Sequence, residues 1–182
     1  MGARTVPAPL AQIPNALTIV RLAAIPAFVA LVLASDGGHS WPAAILFGGA
    51  AVTDQIDGWL ARRWQVESQF GKIADPFADR LMIDAAVILL WHAGRLPWAA
   101  LAIPARDLAL IAGYRIVVER GYEFAVNLAG KAATWLLYAS LAFVLVTSEG
   151  ARWPVWIFWV GFGLAVLALA GYLRKAQREV AT

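Results

Sequence analysis

Residues 42–63 read PAAILFGGAAVTDQIDGWLARR, and residues 70–93 read FGKIADPFADRLMIDAAVILLWHA. Each is a mainly apolar run of about 20 residues, which at a rise of about 1.5 Å per residue is the length a helix needs to cross a hydrocarbon core. Each also carries a pair of aspartates, Asp54 with Asp57 and Asp75 with Asp79, toward the ends joined by the short polar stretch between the runs. A charge at mid-membrane depth costs about 2.5–3.5 kcal/mol or more. Runs this apolar that keep four acids toward their adjoining ends require something to compensate them.

The rest of the chain has the same character. Of its 182 residues, 61% are hydrophobic and only 15% charged, against about a quarter charged in soluble domains. The mean hydropathy is +0.66. That composition excludes a water-soluble globule and a disordered chain alike. Further apolar runs lie at Ile13–Ala34, Pro97–Glu119, Leu128–Thr147 and Pro154–Leu173, separated by polar, Gly- and Pro-containing connections. The expectation is an all-α polytopic membrane protein with six transmembrane helices, forming a single domain over residues 1–182. The first apolar run follows Met1–Gln12 without a cleavable signal pattern and reads as a span.

Lys and Arg collect on one side: Arg4, Arg62, Arg63, Lys72, Arg80, Arg115, Arg120, Lys131, Arg174, Lys175 and Arg178, with Arg95 and Arg152 on the other. By the positive-inside rule both termini are expected in the cytoplasm. Nine tryptophans suit the headgroup level on either side. The net charge of +3, placed at the ends of apolar runs, points to anionic membrane lipids and not to nucleic acid. With no cysteine, thiolate metal sites and thiol nucleophiles are excluded.

Asp54 and Asp57 are spaced i, i+3, and Asp75 and Asp79 i, i+4, so each pair lies on one face of its helix. Four carboxylates brought together would repel one another without a balancing cation. Hard oxygen donors in that number suit two divalent ions, Mg²⁺ or Mn²⁺, and not zinc, and paired ions of this kind clamp phosphoryl groups. Gly58 and Gly71 leave the backbone open to a ligand, and Arg62 offers a planar fork to a phosphate oxygen. The bland alternative makes each aspartate a packing hydrogen bonder or an ion-pair partner of Arg62, Arg63 or Arg80. That explains one such residue more readily than four.

Written as a pattern, Asp54 to Asp79 is D-x2-D-G-x2-A-R-x8-G-x3-D-x3-D. It resembles without substitution the signature of the CDP-alcohol phosphatidyltransferases. Asn15, Thr18 and Arg21 resemble that family's first helix, and Asp75-Pro76-Phe77-Ala78-Asp79-Arg80 its bacterial D-P-x-A-D-K/R run. The resemblance implies a six-helix membrane enzyme, a homodimer, multi-pass in the cell membrane with its site at the cytoplasmic face. Such an enzyme moves a phosphatidyl group from CDP-diacylglycerol to an alcohol with release of CMP. It further implies that Asp54, Asp57, Asp75 and Asp79 hold two divalent ions and that Asp79 is the general base. Asn15, Thr18, Gly58, Ala61, Arg62 and Gly71 would bind CDP-diacylglycerol.

The signature does not encode the acceptor; glycerol-3-phosphate, phosphatidylglycerol and inositol phosphate are candidates. Arg106, Arg115 and Lys131 are the expected acceptor-binding residues, with topology and headgroup contact as their bland reading. Phosphatidylglycerophosphate synthases resemble this chain at Arg106 but carry a second Arg eight residues on, where this chain has Tyr114. They also carry a G-K-x-K-T run, where this chain has Gly130-Lys131-Ala132-Ala133-Thr134. Two cations for a phosphate dianion are thus missing or displaced. The Arg106-Asp107 pair and the single Lys resemble cardiolipin synthases, whose acceptor, phosphatidylglycerol, is a singly charged diester. Glycerol-3-phosphate is the alternative acceptor. Arg106, near the middle of the fourth run, has Asp107 or Asp84 as its neutraliser, and Asp84, about 140° from the face of Asp79, reads as a structural partner and not as a metal ligand. A small ion-path membrane protein is a further alternative, disfavoured by the crowding of all four acids at one end.

Overall fold

A computed structural model describes residues 13–64, 69–109 and 128–180, and every described element is helical apart from one isolated bridge between Asp36 and His39. The helices are α1 (Ile13–Leu33), α2 (Trp41–Trp64), α3 (Gln69–His92), α4 (residues 102–109), α5 (Leu128–Val146) and α6 (Trp153–Val180). A 3-10 turn over Trp98–Leu101 leads into α4. α2, α3 and α5 agree with the expected spans to within a residue at each end.

Two differences have local causes. The fourth span opens as a 3-10 turn because Pro97 sets an extended entry (φ −71°, ψ 156°) and Pro104 has no N–H for a regular second turn. α6 runs on to Val180, past the end of the apolar run at Leu173. Its extra turns include Arg174, Lys175 and Arg178.

α1 packs along both α2 and α3, which touch each other over a short stretch. α5 lies against α2, α3 and α6, with the α5–α6 seam the most extensive. The core joining them is Phe28, Phe47, Met82, Leu90, Leu141, Leu145 and Phe158, all fully buried. Phe47 bridges Phe28 and Tyr138, with ring centroids 5.3 and 5.0 Å away, in the range where tilted aromatic pairs attract. At Gly161 of α6 the helices approach so closely that an added Cβ would stand 3.1 Å from the Leu136 Cβ and 3.3 Å from the Ala133 carbonyl oxygen.

Outside the core, large apolar side chains are exposed, among them Val20 on α1, Ile45 on α2, Ile88 on α3, Leu108 on α4, Phe143 on α5 and Leu167 on α6. An apolar surface on all sides is the arrangement a lipid solvent favours and water does not. The stretch Trp153–Gly171 is long and apolar enough by itself to cross a membrane, and Ile19–Leu33, Trp41–Thr53 and Gly130–Val146 are shorter apolar stretches.

One end of the bundle is closed by backbone chemistry. α3 stops in a Schellman motif, with Gly94 at φ +72°. The Gly94 N–H donates to Trp91 O (2.9 Å) and the Arg95 N–H to Leu90 O (2.8 Å), the paired bonds expected when glycine takes the left-handed position. The motif delivers Arg95 to the C-terminus of α5. There one terminal nitrogen donates to Val144 O (2.7 Å) and Thr147 O (2.6 Å), and the other reaches Gly37 O in the α1–α2 turn (3.5 Å). Beside it, His39 Nε2 lies 3.1 Å from Val146 O. Exposed Trp41, Trp91, Trp98, Trp153 and Trp156 gather at this end, as an interfacial aromatic belt would.

Candidate active site

The signature positions lie on helical backbone at the other end. α2 carries Asp54, Asp57, Gly58, Ala61 and Arg62, and α3 carries Gly71, Asp75 and Asp79. Only four residues, 65–68, separate α2 from α3, so the signature-bearing halves of the two helices adjoin the same short connection. The side chains of these residues, and those of Asn15 and Thr18 on α1, lie outside the described part of the structure, as does Arg115 altogether. Among the described residues no three His, Asp or Glu converge on a metal position. The donor set nevertheless fits a hard divalent ion: four carboxylates at helical spacing on two adjoining helices, in a chain without cysteine.

Around these positions the described side chains are informative. Thr53, immediately before Asp54, turns its hydroxyl back onto its own helix, donating to Gly49 O and Ala50 O, both at 2.9 Å. Ala78, between Asp75 and Asp79, is fully buried, so the face of α3 that it occupies is packed against the protein. Arg21 of α1 is buried to 2% exposure, a rare position for a guanidinium without a structural or functional reason.

Arg80, next to Asp79, reaches across to α4 and donates through Nη1 to Asp107 Oδ1. Arg106 donates to the same oxygen through Nε at 2.9 Å, and its Nη2 lies 2.8 Å away. Asp107 is 2% exposed, while the Arg106 and Arg80 side chains are 20% and 42% exposed. Asp84, one turn beyond Arg80 on α3, lies beside Asp107, Arg106 and Arg80, so two guanidiniums and two carboxyls form one cluster joining α3 to α4. Its Oδ1 is buried without a hydrogen-bond partner among the described residues.

Of the expected acceptor residues, Arg106 is thus held in this cluster, and Lys131 is exposed near the start of α5. Ala133, where a second cation would stand in a phosphate-dianion site, is 1% exposed beside the close α5–α6 approach at Gly161. A Lys there would have no room without opening the seam. Sequence reasoning proposed Asp107 or Asp84 as neutralisers of Arg106 but missed the bond from Arg80. The available signal was an Arg directly after the last signature aspartate, with Asp84 the one acid of α3 outside the signature. Two cavities of about 520 and 410 Å³ lie at the opposite, tryptophan-rich end, lined in part by Arg95 and Glu149, away from the signature.

Residues 11–167 match the family of CDP-alcohol phosphatidyltransferases. The chain belongs to that family. It is similar to the "CDP-diacylglycerol--glycerol-3-phosphate 3-phosphatidyltransferase" of Bacillus subtilis, 35% identical over 168 residues that cover 80% of this chain and 86% of that protein. Its similarity to the "Cardiolipin synthase (CMP-forming)" of Streptomyces coelicolor is 36% over 179 residues, covering 91% and 81%. The "Probable phosphatidylglycerophosphate synthase" of Mycobacterium tuberculosis is 32% identical over 172 residues, covering 92% and 71%. The chain is therefore an enzyme, a phosphatidyltransferase of phospholipid synthesis, with CDP-diacylglycerol and an alcohol as its substrates.

Proposed function

We propose that this enzyme transfers the phosphatidyl group of CDP-diacylglycerol to a hydroxyl of phosphatidylglycerol, forming cardiolipin and CMP. The observation that carries the choice of acceptor is Ala133: a closed, apolar position stands where a phosphate dianion would need a second ammonium. Arg106 already shares a buried carboxylate, which leaves a site suited to the single charge of a diester. A specific observation favours a second reading, glycerol-3-phosphate as acceptor: the relatives from Bacillus subtilis, Pseudomonas fluorescens and Mycobacterium tuberculosis carry names of that activity.

In this reading residues 1–182 form one domain of six spans with both termini in the cytoplasm, multi-pass in the cell membrane. The signature end lies at the cytoplasmic face and the tryptophan-rich end at the other, and two copies associate as a homodimer. Asp54, Asp57, Asp75 and Asp79 hold two Mg²⁺ or Mn²⁺ ions, which when bound neutralise charge on the pyrophosphate and on departing CMP. Asn15, Thr18, Gly58, Ala61, Arg62 and Gly71 bind CDP-diacylglycerol. Arg106, Arg115 and Lys131 receive the acceptor phosphate. Asp79 takes the proton of the acceptor hydroxyl as its oxygen bonds to the phosphorus bearing the diacylglycerol. The phosphoanhydride bond to CMP breaks in the same displacement, and CMP leaves with the electron pair.

The test incubates purified protein and Mg²⁺ with labelled CDP-diacylglycerol, offering phosphatidylglycerol and glycerol-3-phosphate separately and together, and identifies the lipid product. Cardiolipin as the main product in the mixture supports the proposal. Phosphatidylglycerophosphate without cardiolipin overturns it in favour of the second reading.

A further inference from the structure

Asp107 is the one buried carboxylate at the signature end whose partners are described on two different helices, and the chemistry outlined above gives it no task. Three guanidinium nitrogens converge on its Oδ1, two from Arg106 and one from Arg80. Arg106 and Asp107 are sequence neighbours, about 100° apart around the helix. To meet Asp107 through both Nε and Nη2, the Arg106 side chain must lie sideways across its own helix instead of extending away from it. This fixes the plane of the guanidinium and leaves its remaining nitrogen, Nη1, away from Asp107. Among the described residues Nη1 has no partner.

Arg80 supplies the second half of the argument. It follows Asp79 directly, so the turn of α3 bearing the last signature aspartate is tied by one side chain to the carboxylate that orients Arg106. Here the second guanidinium is accommodated with Asp84 alongside, and the nitrogens left over are donors available to an anion. A guanidinium with a fixed plane loses less freedom on binding a phosphate than a mobile one.

We infer that Asp107 is a positioning residue: its buried carboxylate orients Arg106 as a donor to the acceptor's phosphate and, through Arg80, holds that donor in register with Asp79. This rests on the reading of Arg106 as an acceptor ligand. Asp107 touches neither substrate.

The test uses the full-length enzyme in phosphatidylglycerol-containing mixed micelles with Mg²⁺, following CMP release. Acceptor is varied at saturating CDP-diacylglycerol and the reverse, for Asp107→Asn, Asp107→Glu, Arg106→Gln and the double variant Arg106→Gln/Asp107→Asn. Asp107→Asn should raise the acceptor KM by about tenfold or more, the scale of one lost charge-assisted hydrogen bond, while the KM for CDP-diacylglycerol stays within about twofold. Asp107→Glu, which keeps the charge, should recover most of that loss. The double variant should be no worse than Arg106→Gln alone, because a positioning residue has nothing left to position.

A rise in both KM values together, or additive losses in the double variant, would reduce Asp107 to a packing residue and overturn the inference. An acceptor KM raised by Arg106→Gln but untouched by Asp107→Asn would overturn it while leaving the acceptor reading of Arg106 intact. An acceptor KM indifferent to Arg106→Gln removes that reading and the inference with it. Should Asp107→Asn fail to accumulate, Arg80→Gln takes its place: a selective rise in acceptor KM supports the coupling, and an unchanged one overturns it.

Discussion

Arg95 and Arg106 are both partly buried arginines in a protein with little charge, yet they answer to different partners. Arg95 spends its terminal nitrogens on backbone carbonyls, at Val144, Thr147 and Gly37. These are groups that a helix end and a turn leave unsatisfied in any protein. Arg106 is held by a side-chain carboxylate that it shares with Arg80, and it keeps a nitrogen in reserve. The first arrangement closes a structure. In the proposed reading the second prepares a surface for an anion, and the contrast then separates a holding end from a reacting end more sharply than the charges do.

The largest expected effect lies at the reacting end. Chelation with EDTA should abolish CMP release, and Mg²⁺ or Mn²⁺ should restore it. Ca²⁺, which is larger and tolerates looser geometry, should not. Full activity in excess chelator would break the two-ion assignment of Asp54, Asp57, Asp75 and Asp79. Next, Asp79→Asn should lower turnover by about 10²–10⁴-fold, the usual contribution of a general base. It should weaken CDP-diacylglycerol binding less than Asp54→Asn or Asp57→Asn does, which equilibrium binding of labelled lipid would measure.

The holding end should respond differently. Arg95→Gln removes two short charged hydrogen bonds and exposes the last carbonyls of α5, so stability should fall by about 2–4 kcal/mol, read as an earlier thermal transition in detergent. The acceptor KM of the protein that remains folded should be unchanged. A selective change in acceptor KM would erase the distinction between the two ends.

The smallest expected effect sharpens the acceptor argument. Reading charges alone, Ala133→Lys looks like restoration of a phosphate ligand. Given the burial of Ala133 and the close approach of Gly161 to its carbonyl, overpacking should instead cost about 1–3 kcal/mol, with no gain in use of glycerol-3-phosphate. Improved use of that acceptor without loss of stability would show that position 133 opens onto the acceptor site.

Much of this was legible from sequence because a lipid solvent leaves few options: apolar runs of the right length must be helices, and the bounds of α2, α3 and α5 followed. The extension of α6 to Val180 did not, since a helix leaving the membrane needs no apolar residues to keep its backbone bonds. The 3-10 entry to α4 was signalled by Pro97 and Pro104 only in retrospect. Signature positions were legible as a pattern of spacing and residue type. The bond from Arg80 to Asp107 was not, because it joins residues 27 positions apart through a packing that no local pattern encodes. For the same reason Ala133 read as a missing charge when the structure makes it a closed seam.

The division between the two ends is tested most directly by measuring acceptor-dependent CMP release side by side in wild type, Asp79→Asn and Arg95→Gln, each at equal amounts of folded protein. The account predicts that Asp79→Asn loses turnover with its fold intact, while Arg95→Gln turns over like wild type below its lowered melting transition. Near-normal turnover in Asp79→Asn, or a folded Arg95→Gln enzyme that has lost its acceptor affinity, would contradict it.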